Sequence, residues 1–275
     1  MKNTRGVAIG VAAIVFTAIF FLVPFLFILV IASKDATDAA SLTFSWPKHF
    51  QLFQNVAEAF AARDYLMIIA FINSVILTVV SVAALVIFSA MVAYIWQRRP
   101  GRIGGLVDAL VLVGLIVPPA IVPTIFVLQK LGLFKTMPGL ILIEIAYGLP
   151  FCILLFRAFL ASVPRELDEA AVVDGASPVQ IFFRVIFPVL RSVTITVITL
   201  QSVLIYNDFQ NPLYFLPGSE NATIQVTLLN FQSQFTTQYH LLFATILLVT
   251  IPPLIMFIFF NRKIVEGMAA GSVKG

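Results

Sequence analysis

The sequence predicts an all-α, polytopic membrane protein with six transmembrane helices, and three observations carry that expectation. First, 60% of the 275 residues are hydrophobic and only 11% are charged. Soluble domains run nearer 45–50% and about 25%, so too little polar material is present to cover a surface facing water. Second, six apolar stretches reach the roughly 20 residues a helix needs to cross the hydrocarbon core, at about 7–32, 68–96, 104–128, 139–161, 190–210 and 240–261. Third, lysine and arginine are unevenly divided between the segments that join them. The whole chain, 1–275, is accordingly expected to be a single transmembrane domain.

The first stretch, VAIGVAAIVFTAIFFLVPFLFILVIA, follows Lys2 and Arg5 as a signal-peptide core would. It is too long for that core and lacks a convincing cleavage site, so a retained span is expected. Pro24 within it is tolerable, because neighbouring helices re-satisfy the freed carbonyl. The loop 33–67 contains HFQLFQNVAEAFAARDY, which reads as a short amphipathic helix lying near the outer surface.

Orientation follows from the basic residues. With the N-terminus inside, the inner segments hold Lys2, Arg5, Arg98, Arg99, Arg102, Arg157, Arg165, Arg184, Arg191, Arg262, Lys263 and Lys274. The outer segments hold Lys34, Lys48, Arg63, Lys130 and Lys135, which makes 12 against 5 of the 17. Both termini are therefore expected in the cytoplasm. No Lys/Arg run is interleaved with aromatics, so no nucleic-acid partner is expected. The single Cys152 excludes a disulfide framework and a cysteine-ligated metal site.

The passage RELDEAAVVDGASPVQIFFRVIFPV, Arg165 to Val189, interrupts the greasy pattern. Each mid-bilayer charge costs about 2.5–3.5 kcal/mol, so its seven charges through Arg191 would cost on the order of 20 kcal/mol in lipid. It therefore belongs on the cytoplasmic side, as a loop over 162–189. Its chemistry nonetheless predicts two helices. Pro164 suits a first-turn position, and Glu166, Asp168 and Glu169 crowd the positive end of a helix dipole. Leu167, Ala170, Ala171 and Asp174 fall on one face. Gly175 stands where a left-handed cap is needed. Ser177, Pro178 and Gln180 supply an N-cap, a first helical position and a capping box. Ile181, Phe182, Val185 and Ile186 form an apolar stripe, and Pro188 marks the hinge into the fifth span. A mere connector needs only a few residues, whereas small alanines beside an acid make a surface that another protein can approach closely.

EAAVVDGASPVQIFFRVIFP, Glu169 to Pro188, resembles the EAA loop of ATP-binding cassette importer permeases. NSVILT, VPPAIVPTIFVLQKLGLFKTMPGLIL, YGLPFCILLFRAFLASVPRELDEAA, YNDFQNPLYF and the ending GMAAGSVKG resemble the carbohydrate-uptake class, specifically its maltose-type inner subunit, from about Asn73 onward. Two positions depart from the family pattern: Tyr206 stands where Trp is commoner, and Phe187-Pro188 replaces Leu-Pro. The resemblance implies a bacterial or archaeal cytoplasmic-membrane subunit that moves a sugar or sugar-like solute by alternating access. It implies a second permease subunit, two ATPase subunits that bind the ATP and Mg, and an extracytoplasmic solute-binding protein, with no cofactor on this chain. The loop would be the coupling helix seated on the ATPase. Glu169 would face a basic group there, Ala170 and Ala171 would permit close packing, and Gly175 would make the turn after Asp174. The tail SVKG would reach into the same interface. Consistently, the chain has no G-x-x-x-x-G-K-[ST] phosphate loop.

A sugar path needs hydrogen-bonding groups and aromatic faces among apolar helices. Asn73, Glu144, Tyr147, Tyr206, Asn207, Asp208 and Asn211 are the candidates, because polar and ionisable residues inside spans are expensive to keep there. Asp108 reads as structural, near the cytoplasmic boundary. The polar loop 211–239 is the expected contact for the solute-binding protein. Three rival readings are weaker. A membrane enzyme would need a convergent catalytic set, yet neither H-E-x-x-H nor G-x-S-x-G occurs and His49 and His240 lie in or beside outer loops. An ion-gradient-driven secondary transporter would favour inverted repeats and more spans. A plain membrane anchor leaves the capped loop unexplained.

Overall fold

A computed structural model describes residues 4–98, 101–218, 220–231 and 237–272. Lys2, Arg99 and Lys274 of the charge pattern, Val273–Gly275 of the tail and part of the loop 211–239 lie outside these. Regular structure among the described residues is helical, as the composition predicts. The chain divides into two compact units, Met1–Ile68 with Val226–Pro252, and Ile69–Gln225 with Pro253–Gly275.

The first unit holds α1 (Thr4–Ala32), the short α2 (Ala36–Ala39) and the start of α3 (Leu52–Arg98). Helix α3 is interrupted at Ala62–Tyr65, where Arg63, Asp64 and Tyr65 take left-handed φ values of 50°, 55° and 61°. Three such non-glycine residues in succession end the helical geometry, so the amphipathic surface helix expected before the second span is a separate piece. After α1, Lys34 is fully buried. Its Nζ donates to Thr43 O and Ser45 Oγ at 2.9 Å and pairs with Asp38 at 3.5 Å. Asn55 Nδ2 donates to Ala32 O and Lys34 O, both at 2.8 Å. A buried cation is tolerable only with this many acceptors. Next to it, the Thr37 hydroxyl bonded to Asp35 at 2.7 Å holds that carboxyl below its ordinary range.

The second unit is built on α6 (Met137–Leu160), against which α4 (Arg102–Ile116), α10 (Arg191–Tyr206) and α11 (Gln210–Phe215) pack. Leu85, Leu140, Phe156, Ile186, Leu190 and Val197 form its dry centre. Helices α4 and α6 approach closely at Gly114, where a Cβ would stand 2.6 Å from Pro150 Cγ.

Among the described residues, three helices are long and apolar enough to cross a membrane, Gly10–Ala32, Leu52–Arg98 and Met137–Leu160, and up to five spans result if each of two bent pairs is one span, against the six expected. The stretch 104–128, expected as one span, is a bent pair of helices. Helix α4 stops at Ile116, α5 (Ile121–Lys130) resumes, and the axes differ by 118°. The cause is Pro118-Pro119: neither has an N–H to donate, and the residue before each is pushed out of the helical region. The segment ahead of the fifth span is bent likewise, by 77°. That bend falls at Leu190, two residues beyond the proline expected to mark it. The last apolar helix runs over Tyr239–Ile255 within α12 (Tyr239–Ser272).

Candidate functional site

Two features stand apart from plain packing, a capped loop and a polar cavity, and both lie in the second unit. The loop folds as α7 (Glu166–Val173), a turn, and α8 (Pro178–Gln180), continued by a wider π-helical turn over Ile181–Ile186 and by α9 (Phe187–Val189). Arg165 is the residue before α7, so Pro164 lies two positions ahead of the helix rather than in its first turn. Gly175 has φ +81°, the left-handed conformation expected of it. Ser177 and Gln180 form the expected capping box, with Ser177 N donating to Gln180 Oε1 at 2.8 Å. The apolar stripe is buried at Ile181, Phe182 and Ile186, although an i→i+5 winding carries it in place of an α-helix.

Of the coupling residues, Glu169, Ala170, Asp174 and Gly175 face outward. Ala171 turns inward, 7% exposed, and joins the core. The outer face is completed by Val172 and Val173, the latter 86% exposed. Neither valine was singled out by sequence, though two adjacent β-branched apolar residues in a charged loop are a readable signal.

The loop is tied to the end of α3. Tyr94 Oη donates to Asp168 Oδ1 at 2.5 Å, and Arg98 Nη2 lies 2.8 Å from Asp168 Oδ2. Arg98 also donates to Val163 O and Pro164 O at 3.2 Å. Arg165 Nη2 donates back to Gln97 O at 3.4 Å. Nearby, Asp108 pairs with Arg157 at 3.0 Å, in the structural role expected of it, and the Arg157 guanidinium lies over the Trp96 ring at 3.4 Å.

The cavity, about 390 Å³, lies between α6 and α10. Glu144, Tyr147 and Asp208 line it, as do Phe151, Gln201, Gly148, Leu204 and Ile205, with no lysine or arginine among them. Glu144 is 6% exposed, and Asn211 Nδ2 donates to its Oε1 at 3.3 Å. Asp208 shares the cavity wall with Glu144. Asp208 Oδ1 accepts from Gln210 N at 2.8 Å, which caps the start of α11. Glycine at 148 keeps the wall thin: a Cβ there would stand 2.9 Å from Leu85 Cδ1.

The remaining candidates do other work. Asn207 Oδ1 accepts from Gln225 Nε2 at 3.1 Å, and Asn73 Nδ2 donates to Ala222 O at 3.1 Å. Both thus pin the loop that follows α11, as does Ser74, whose hydroxyl accepts from Ile224 N at 2.9 Å. Tyr206 is buried away from the cavity lining. Gln201 also lines the cavity, a place that only the packing of α10 on α6 reveals.

Chemically, the cavity offers carboxylate acceptors, an amide, a phenol and two aromatic faces, a set suited to hydroxyl-rich solutes. A helical membrane protein with such a cavity between its spans and a capped, outward-facing loop is a permease by class. The chain belongs to the family of binding-protein-dependent transport system inner membrane components, whose sequence profile matches residues 86–269. It is 32% identical to the melibiose/raffinose/stachyose import permease protein MelC of Bacillus subtilis, over 100% of this chain and 98% of that one. It is also 32% identical to the diacetylchitobiose uptake system permease protein NgcG of Streptomyces coelicolor, over 99% and 91%. In fold it matches a chain of a bacterial ABC transporter involved in the import of the acidic polysaccharide alginate, with a TM-score of 0.82 at 20% identity, covering 95% and 98%.

Proposed function

We propose that the chain is one permease half of an ATP-driven importer that carries a sugar or sugar-like solute across the cytoplasmic membrane by alternating access. A second permease subunit completes the path. Two ATPase subunits supply the ATP and Mg chemistry and seat the loop 162–189, and an extracytoplasmic solute-binding protein delivers the solute. Both termini lie in the cytoplasm. The observation that carries this reading is the capped loop, whose Glu169, Ala170, Val172 and Val173 form an outward face on a rigid helix. The cavity with Glu144, Tyr147 and Asp208 supports a hydroxyl-rich solute, and the sugar systems named for the relatives point the same way. Family membership favours this reading over an ion-gradient transporter.

The test is Glu169→Lys in the complex reconstituted with its ATPase. Reversing that charge is expected to abolish solute-stimulated ATP hydrolysis and uptake together. Unchanged uptake removes Glu169 from the interface, and a purified complex with no ATPase chain removes the importer reading.

A further inference from the structure

We propose that Asp168 is a positioning residue: gripped by Tyr94 and Arg98, it joins the last turns of α3 and the coupling loop into one body. Displacement of α7 by a docked ATPase is then delivered to the span formed by α3. The proposal rests on the ATP-driven reading above and adds to it the route by which motion leaves the loop.

Tyr94 and Arg98 are four residues apart, hence on one face of α3. They occupy the two oxygens of a single carboxylate, at 2.5 Å and 2.8 Å. The Arg98 and Asp168 side chains are 12% and 17% exposed, so water screens the ion pair between them only weakly. One such bond alone would leave a hinge. Here Arg98 also holds the carbonyls of Val163 and Pro164, just ahead of α7, and Arg165 reaches back to Gln97 O. The Tyr94 ring packs at 5.6 Å on Phe182, in the second half of the loop. Contacts on both sides of the Gly175 turn block rotation about any one of them. Asp168 and Glu169 are neighbours, and about 100° separates successive residues on a helix. One acid therefore faces the chain's own span while the next faces outward.

The test uses the assembled complex in proteoliposomes with its solute-binding protein. Asp168→Ala is expected to keep ATP hydrolysis while solute carried per ATP falls at least about fivefold, the lower range of typical coupling. A merely structural loss would lower uptake and hydrolysis together and leave that ratio alone, and an unchanged ratio overturns the proposal. If Asp168→Ala does not assemble, the otherwise unsubstituted complex decides. Nitroxides on cysteines replacing the exposed Phe88 and Glu166, neither in the docking face, are expected to keep one separation between resting and ATP-trapped states, the native Cys152 being fully buried. A change above about 2 Å, the scale of helix shifts in switching proteins, overturns the joint. The two readings separate here: absent ATP-dependent uptake fails the importer reading, and a changed separation with uptake intact fails the joint alone.

Discussion

The joint at Asp168 and the cavity at Glu144 each set a carboxylate among apolar helices, yet they spend its bonding capacity differently. At the joint, both oxygens of Asp168 face strong donors, and the guanidinium opposite is shared with two further carbonyls. In the cavity, Glu144 accepts from Asn211 at 3.3 Å and shares its space with a second acid. The Tyr147 hydroxyl, also on the cavity, is a buried group without a hydrogen-bond partner among the described residues. Buried polar groups are ordinarily satisfied. A carboxylate held by an ion pair and a hydrogen bond fixes structure, and a loosely bonded set leaves room for something that arrives.

The largest expected effect falls on the joint. Arg98→Ala strands the Asp168 charge and frees two carbonyls, which should cost roughly 3 kcal/mol of stability, read from denaturant or thermal unfolding of the complex. Gly175→Ala, forcing a side chain into the left-handed region at φ +81°, should cost about 1–2 kcal/mol by the same measurement. Glu144→Gln keeps the shape of the side chain and should change stability by less than about 1 kcal/mol while depressing initial uptake rates. A loss as large as that of Arg98→Ala would make Glu144 structural and collapse the comparison. Tyr147→Phe removes a hydroxyl with no hydrogen-bond partner among the described residues, so unfolding should shift by less than about 0.5 kcal/mol, and only the uptake rate should respond.

Local chemistry was legible and distant chemistry was not. Gly175, Ser177 and Gln180 act within a few residues, so the turn and its capping box could be read directly. The interruption of α3 near Arg63 was legible as the end of an amphipathic stretch. Pro118-Pro119 was in plain view, but hydropathy continues across it, and an apolar period cannot distinguish a straight span from two helices at 118°. The π-helical winding over Ile181–Ile186 leaves the buried stripe unchanged and so leaves no mark on the pattern. Asp168 and Arg98 are 70 positions apart in the chain, and only packing reveals that one of four nearby acids turns inward. The same holds for Ala171, whose twin Ala170 stays outside. Of the cavity, the Glu144–Asp208–Asn211 set came from polarity within spans, whereas Gln201 and Phe151 joined it only through the packing of α10 on α6.

The bend between α4 and α5 also has a chemical polarity. Pro118 and Pro119 at the corner, and Pro123 in the first turn of α5, bring no N–H to a place where donors have no helical partner. An unmatched donor in hydrocarbon costs several kcal/mol, so breaking the helix with prolines removes much of that penalty at its origin. What is left is an exposed corner from Leu112 to Ala120 in which the two prolines bring carbonyls but no N–H.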